Sequence, residues 1–171
     1  MKRILILLIE DIIEGLMLFL PLILLLGLGI VVRAEDVDYV PMIEEAAEDY
    51  DLSPELIQAM CERESTLNPK ATAGNCQGLM QINCKIWSGR IQTLYEQGKI
   101  EDTNLYNPKT NLVVGCSIIA ELFDEYQDPY AVLMYYNMGW KGLERFEDGR
   151  YSKYAEWICE RAYEITNEKE Q

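Results

Sequence analysis

Apolar and polar positions divide the chain into two unequal parts. Residues 15–32 form a run without any charged side chain, and this run is long enough to cross a membrane as a helix. Beyond residue 34, short apolar stretches alternate with charged positions, as in a domain that folds in water. We therefore expect residues 1–34 to be a membrane anchor or a signal peptide, and residues 35–171 to fold as one domain.

Two interpretations of the N-terminal segment remain open. Lys2 and Arg3 precede the apolar run, and this bias favours a chain start in the cytoplasm with the remainder outside. Residues 32–34 (Val-Arg-Ala) offer a signal-peptidase site, but the run exceeds the roughly 7–15 apolar residues usual for a signal peptide. Length thus favours a single membrane span over a cleaved signal. Both interpretations place the folded domain outside the cytoplasm.

The exported part has mainly helical patterns. Three sites combine a capping residue with a proline at the first helical position, namely Ser53-Pro54, Asn107-Pro108 and Asp128-Pro129. Residues 71–83 lack helical periodicity and contain Gly74, Asn75 and Gly78, which indicates turns and a small hairpin. The prediction is a mainly α domain of the α+β kind. Its helices span roughly 41–48, 54–64, 87–95, 108–126, 129–139 and 152–165.

Charge and composition exclude several functions. The 15 basic and 29 acidic residues give a net charge of −14, which excludes a nucleic-acid binder that neutralises phosphates with a basic face. The chain has no histidine, which excludes Ser-His-Asp and Cys-His catalysis and any zinc site with a histidine ligand. We expect neither a metal nor a cofactor, so the chemistry depends on carboxylate, hydroxyl, amine or thiol groups.

Five cysteines lie in the exported part, where disulfides can form: Cys61, Cys76, Cys84, Cys116 and Cys159. An odd number allows at most two bridges and leaves one thiol over. Cys76 and Cys84 flank one short segment and are the preferred pair, although connectivity does not follow from sequence. No Cys-x-x-Cys pair is present, which disfavours a cysteine metal site.

One carboxylate stands out by its position on a predicted helix. At about 100° per residue, Glu64 falls at about 80° on the helix that begins at Pro54, between Met60 at about 40° and Cys61 at about 140°. It therefore points from the apolar face, whereas Glu62 points to the opposite side. A glutamate in a last turn can instead swing into solvent. If Glu64 is enclosed, desolvation raises its pKa and keeps it available as a proton donor.

Four short motifs follow Glu64 in order: Glu64-Ser65 with Asn68-Pro69, Gly78-Leu79-Met80-Gln81, Asn107-Pro108 with Asn111 and Gly115, and Tyr136-Asn137-Met138-Gly139. In this order and spacing they resemble the lytic transglycosylase family, which is goose-type lysozyme-like. The resemblance covers roughly residues 43–163. It implies a compact lysozyme-like fold with a substrate groove.

The resemblance also implies a reaction. Family members cleave the β-1,4 bond between N-acetylmuramic acid and N-acetylglucosamine in peptidoglycan, and Glu64 takes the place of their sole catalytic acid. The acid protonates the glycosidic oxygen and then serves as base while the muramoyl C6 hydroxyl attacks C1. The product is a 1,6-anhydro sugar, and no water is consumed.

The same resemblance assigns substrate-binding positions. Gly78 allows close backbone approach, Asn137 hydrogen-bonds sugar or orients the acid, and Tyr154 stands for a tyrosine of the last helical region, with Tyr151 as a rival. Trp87 and Tyr135 are further aromatic candidates. The full substrate-binding set is Ser65, Gly78, Leu79, Met80, Gln81, Tyr136, Asn137 and Tyr154.

Alternatives to this reaction remain open. Ordinary glycosidases need two carboxylates about 5–10 Å apart, and the segment that follows Asn68 has no acidic residue before Glu96. Asp102 or Glu144 from elsewhere would make the protein a hydrolytic lysozyme, and a silent wall-binding scaffold is a third possibility. The expected partners are peptidoglycan glycan strands and the membrane. Family members often open the wall for secretion or conjugation machinery, which makes such machinery a candidate partner.

Overall fold

The computed structural model describes residues 37–170, so the predicted anchor or signal peptide at 1–34 lies outside the described residues. Within 37–170, no helix is both long enough and apolar enough to cross a membrane. The described elements are α1 Val40–Glu48, α2 Pro54–Ser65, β1 Thr72–Ala73, β2 Cys76–Gln77, β3 Ile82–Asn83, α3 Ser88–Glu96, α4 Pro108–Tyr126, α5 Pro129–Met138, α6 Trp140–Glu147 and α7 Lys153–Lys169.

The predicted caps begin their helices as expected. The Ser53 hydroxyl accepts a hydrogen bond from the backbone N–H of Leu56 at the start of α2. Asn107 caps α4 and Asp128 caps α5 in the same way, and each is followed by the proline that fits a first helical turn. The mainly α prediction with a small hairpin segment is confirmed by these elements.

Helix α4 forms the centre of the domain. Its residues 110–119 are all buried, because α1, α3, α5 and strand β3 pack around it. A helix that is apolar around its circumference belongs in a core rather than on a surface. This central position makes α4 the support for the loop between β2 and β3.

Strands β1, β2 and β3 form an antiparallel sheet in that order. Its register shows where the expected Cys76–Cys84 pair lies. Cys76 lies opposite Asn83, and the Cys84 N–H donates to the Asn75 carbonyl at 3.0 Å. The charge of Cys84 contributes to the raised pKa of Cys76, so the two residues are neighbours, but no bridge joins them in the structure. All five cysteines have free thiols in the structure.

Helix α6 is absent from the sequence prediction. Gly139, which marks the end of α5, has φ 61° and ψ −146°, and the chain starts a new helix immediately at Trp140. Gly142 lies within α6 against the backbone of Met134, where a Cβ would overlap the Met134 carbonyl. A glycine inside a helix normally weakens it, so the sequence does not indicate that Gly142 is needed for α6 to pack against α5.

Helix α7 runs antiparallel along α2 and is tied to it by ion pairs. Arg161 of α7 contacts Glu62 at 2.8 Å. Near the C-terminal end of α7, Lys169 contacts Glu55 at 3.0 Å and Glu44 at 2.9 Å. These pairs fix the register between α7 and α2, and this register places Tyr154 beside Glu64.

Candidate active site

The carboxyl group of Glu64 lies in the last turn of α2 and is half-buried. The Tyr154 hydroxyl donates a hydrogen bond to Glu64 Oε1 at 2.5 Å. Burial raises the pKa of Glu64, and the Tyr154 hydrogen bond and the charge of Arg63 oppose that rise in part. The net direction is upward, which extends the pH range in which Glu64 carries a proton.

Three successive residues of α2 each contact a residue of α7. The pairs are Glu62 with Arg161, Arg63 with Trp157, and Glu64 with Tyr154. The structure thus brings Tyr154, and not Tyr151, to Glu64. Burial and the nearby Glu64 charge raise the pKa of Tyr154 well above its ordinary value, so this hydroxyl remains a donor. The pairing depends on the register of two helices that are far apart in the chain.

Asn111 of α4 holds the loop between β2 and β3 in place. Its side-chain oxygen accepts from the Met80 N–H at 2.8 Å, and its amide nitrogen donates to the carbonyls of Gln77 and Leu105 at 2.8 Å. Asn111 is fully buried, so these bonds satisfy backbone groups that water cannot reach. A Cβ at Gly78 would overlap the Asn111 side chain and the Leu105 carbonyl, which explains the glycine there.

Met80 and Gln81 occupy the end of this loop. The Met80 side chain packs against Gly115 of α4, where a Cβ would overlap its sulfur. Gln81 has a φ of 49°, a conformation that costs free energy for a residue other than glycine. The Gln81 side chain donates to the carbonyls of Ala71 and Gly78 at 3.1 and 3.0 Å. These two bonds hold the strained backbone in position.

Tyr136 joins α5 to the same loop. Its hydroxyl donates to the Met80 carbonyl at 2.7 Å. Burial and the charge of Glu64 raise the pKa of Tyr136 well above its ordinary value. Tyr136 therefore lies near Glu64. Its hydroxyl is engaged by the loop between β2 and β3 through the Met80 carbonyl.

An open groove of about 400 Å³ lies between the hairpin segment and the end of α5. Cys76 and Tyr136 line the groove, and the charge of Glu64 contributes to the raised pKa of both, so Glu64 lies near these two residues although it is not itself a lining residue. None of the lining residues is Asp or Glu. They are Cys76, Gln81, Ile82, Asn83, Ile86, Trp87, Tyr135, Tyr136, Asn137, Met138 and Gly139.

The predicted substrate-binding residues divide into two groups. Gln81, Tyr136 and Asn137 line the groove, and so do the aromatic candidates Trp87 and Tyr135. The other predicted positions are interior or support the site. They are Ser65, whose hydroxyl donates to the Cys61 carbonyl at 3.1 Å, Gly78, Leu79 and Met80, which are buried, and Tyr154, which bonds Glu64.

Some site residues were not anticipated. Ile86 is 71% exposed beside the groove, and Cys76 was considered only for a disulfide. Asn111 belonged to a recognised motif, but its role in holding the Met80 loop needs the three-dimensional structure. Arg63 carried no signal beyond its position next to Glu64.

Two carboxylates, Asp102 and Glu144, were candidates for a second catalytic acid or base. Asp102 is engaged in hydrogen bonds, and Glu144 is exposed. Asp102 accepts hydrogen bonds from the Asn107 side chain at 2.9 Å, the Asn104 N–H and the Thr110 hydroxyl. The bond from Asn107 is the main reason that the pKa of Asp102 is lowered. Glu144 is exposed on α6. Among residues 37–170, no group of three or more cysteine or acidic side chains is placed to hold a metal.

Replacing Asn111 by alanine is expected to lower the free energy of unfolding by about 3 kcal/mol. The change leaves the Met80 N–H and two carbonyls without partners in a buried place, and each such group costs roughly 1–3 kcal/mol. Urea denaturation measures the loss. Asn75→Ala, in the exposed turn between β1 and β2, is the control and should stay within about 0.5 kcal/mol of the wild type. Equal stability of the two variants would contradict the role of Asn111.

Replacing Tyr154 by phenylalanine is expected to move the alkaline limb of the activity profile to higher pH. The Tyr154 hydrogen bond stabilises the Glu64 carboxylate and lowers its pKa, so its loss raises that pKa further. A proton-donating Glu64 then survives to higher pH. We also expect kcat to fall about tenfold, because a hydrogen bond to a charged group is lost. Tyr151→Phe is the matched control, and an unchanged or downward-shifted limb in Tyr154→Phe would count against this coupling.

Comparison with solved structures identifies the fold. An X-ray structure of an inactive mutant of lytic transglycosylase Slt from Pseudomonas aeruginosa superimposes with a TM-score of 0.55 and 17% identity. The match covers 78% of this chain and 24% of that chain. The helices and the small three-stranded sheet fit a lysozyme-like domain.

The profile of the Transglycosylase SLT domain family matches residues 41–157, and the chain belongs to this family. The resemblance found in the sequence is therefore confirmed. A membrane-bound lytic murein transglycosylase C of Serratia proteamaculans is 34% identical over 112 residues, which are 59% of this chain and 31% of the relative.

Two further relatives have similar coverage. The membrane-bound lytic murein transglycosylase C of Actinobacillus pleuropneumoniae is 33% identical over 127 residues, 68% of this chain and 34% of that protein. A transglycosylase of Enterobacteria phage PRD1 is 32% identical over 98 residues, 57% of this chain and 33% of that protein. The chain spans about a third of the length of these curated relatives.

Proposed function

We propose that the chain is a peptidoglycan lytic transglycosylase with Glu64 as its single catalytic carboxyl group. The observation that carries the proposal is the half-buried Glu64, which is bonded to Tyr154 and lies near Cys76 and Tyr136 of a groove that has no acidic lining residue. Membership of the SLT domain family and the names of the relatives support the same activity.

In the proposed reaction, Glu64 first acts as an acid. Its raised pKa favours the protonated carboxyl group, and this proton goes to the glycosidic oxygen between N-acetylmuramic acid and N-acetylglucosamine as the C1–O bond breaks. Positive charge then develops at C1. The new Glu64 carboxylate is stabilised by the Tyr154 hydroxyl and the charge of Arg63.

The second step uses the substrate as its own nucleophile. The muramoyl C6 hydroxyl attacks C1 and gives its proton to the Glu64 carboxylate, which regenerates the acid. Because the hydroxyl is tethered to the same sugar, the attack has the advantage of an intramolecular reaction. The 1,6-anhydro product forms without water. The Pseudomonas aeruginosa structure is an inactive mutant in which glutamine replaces a glutamate, which fits dependence on one carboxyl group.

The groove residues supply binding rather than proton transfer in this proposal. Trp87 and Tyr135 offer apolar ring surface, and Asn83, Gln81 and Asn137 offer amide groups for sugar hydroxyl and acetamido groups. Gly78, Leu79 and Met80 act from behind the surface by fixing the loop that carries Gln81, whereas Ser65 bonds within α2 beside Glu64. Release of soluble muropeptides from purified sacculi tests the activity, and binding without release would instead favour a scaffold.

We also propose that residues 15–32 anchor the enzyme in the membrane with the catalytic domain outside. The length of the apolar run and the basic Lys2 and Arg3 support this, and two relatives are named membrane-bound. Protease added to intact protoplasts should digest the domain, and protection would reverse the topology. A mature N-terminus near residue 35 would show cleavage instead. Action beside secretion or conjugation machinery stays a prediction.

A further inference from the structure

We propose that Arg63 binds a carboxylate carried by the muramoyl residue of the substrate and so sets the preference among peptidoglycan strands. This inference rests on the proposed function and deepens it. Arg63 directly precedes Glu64 on α2, and its guanidinium carbon lies 5.6 Å from the ring centre of Trp157 on α7. Both side chains are exposed, so the pair is accessible beside the reacting carboxyl.

Arg63 has no ion pair within residues 37–170, although acidic residues outnumber basic ones almost two to one in the chain. The basic residues of α7 that face α2, in contrast, are in ion pairs. Arg161 contacts three glutamates and Lys169 contacts two. A cation that remains without a carboxylate in such surroundings is available to an external anion.

The aromatic partner leaves the donors of Arg63 free. The contact with Trp157 is a cation–π contact and uses no N–H donor, and within residues 37–170 the Arg63 guanidinium donates no hydrogen bond to another side chain. The N–H groups of a guanidinium match the two oxygens of a carboxylate. Trp157 thus orders the side chain in advance, which reduces the entropy that a flexible arginine loses on binding.

The carboxylates beside Arg63 are already committed. Glu62 is bound to Arg161, and Glu64 accepts the Tyr154 hydrogen bond. Arg63 directly precedes Glu64 on α2, and its charge partly offsets the rise in the pKa of Glu64 and Tyr154 that burial causes. An anion at Arg63 would therefore lie close to the scissile bond.

Only one of the two sugars carries an anion. The muramoyl residue bears a lactyl ether, whose carboxyl group is free in stripped strands and is joined to a stem peptide in intact strands. Stem peptides carry carboxylates of their own. N-acetylglucosamine is uncharged. Both sources present the same chemistry, a carboxylate on the muramoyl side, and a single cation beside Glu64 recognises it.

The test compares wild type, Arg63→Gln, Arg63→Lys and the control Lys109→Gln in the full chain. Lys109 is an exposed cation whose partner is Glu45, away from the site. Each protein is assayed on strands with stem peptides, on amidase-stripped strands, and on stripped strands whose lactyl carboxyl is capped as a neutral amide. Rates are taken on the plateau of each pH profile, so that a change in the pKa of Glu64 does not enter.

We expect Arg63→Gln to lose affinity, with KM about fivefold higher on strands that carry the recognised carboxylate and unchanged on capped strands. Any fall in kcat that follows from removing the charge beside Glu64 should be the same on all three kinds of strand. Arg63→Lys should recover part of the loss, and Lys109→Gln should behave as wild type. A loss on peptide-bearing strands alone identifies a stem-peptide carboxylate, and a loss on uncapped stripped strands identifies the lactyl carboxylate.

An equal rise in KM on capped strands, or no rise on any strand, overturns the inference. Binding without turnover is measured by sedimenting the strands together with the Glu64→Gln protein or with the double variant Glu64→Gln/Arg63→Gln. If wild type releases no muropeptides, the proposed function fails, and this binding pair still decides the role of Arg63. If wild type is active and the Arg63 variants bind and cleave all strands as it does, only the inference fails.

Discussion

Glu64→Gln is expected to reduce release of soluble muropeptides from purified sacculi by at least about 100-fold, since general acid–base catalysis contributes roughly 10²–10⁴-fold. Glutamine has nearly the shape of a protonated glutamate. Its amide oxygen can still accept the Tyr154 hydrogen bond, so the contact between α2 and α7 is retained. The amide cannot deliver a proton to a leaving group, and the groove lining offers no other acid.

The matched control for this substitution is Glu55→Gln on the same helix. Glu55 is bound to Lys169 and lies at the opposite end of α2 from Glu64. This variant should keep near wild-type release, and circular dichroism should show the same helical content for both variants. Near wild-type digestion by a folded Glu64→Gln protein would remove Glu64 from the mechanism.

The helices that carry the site could be predicted because their signals are local. A capping residue followed by proline marks the start of α2, α4 and α5 within two positions. The 100° rotation per residue is also local, and it separates Glu64 from Glu62 on α2 without knowledge of the partner helix. In the structure Glu64 meets Tyr154 as the rotation predicts, but the expectation that Glu62 points to the opposite side is wrong, because α7 packs against Glu62 as well and Arg161 pairs with it.

The contacts that complete the site could not be predicted, because they depend on register between distant elements. Tyr154 and Glu64 are 90 positions apart, and Asn111 and Met80 are 31 apart. Periodicity shows which face of a helix is buried but not which residue lies opposite on the partner helix. The family resemblance favoured Tyr154 with Tyr151 as a rival, and the Tyr154 hydrogen bond to Glu64 in the structure decides between them.

The thiols show the same limit in a strand. Cys76 and Cys84 are close in sequence, which favoured a bridge, and they are neighbours in the structure, but no bridge joins them. The pairing of β2 with β3 puts Asn83, and not Cys84, opposite Cys76. Short hairpins leave such offsets undetermined in sequence, whereas the structure specifies them directly.

The groove lining also bears on the reaction product. A hydrolytic enzyme needs a group that deprotonates water, usually a second carboxylate about 5–10 Å from the first. The residues that line the groove include amides and aromatic rings but no acid. Asp102 is bound by Asn107 and Thr110, and Glu144 is exposed on α6. In the proposed reaction, Glu64 therefore serves as the base after it has given up its proton.

We therefore expect the released muropeptides to end in 1,6-anhydro-N-acetylmuramic acid. Such ends resist borohydride and are about 18 Da lighter than hydrolysed ends, because no water is added as it would be with two carboxylates. Mass spectrometry of a sacculus digest measures both properties. Asp102→Asn and Glu144→Gln should give the same anhydro ends as wild type. A digest dominated by reducible ends would make the protein a lysozyme, and whichever of these two variants then lost activity would identify the missing base.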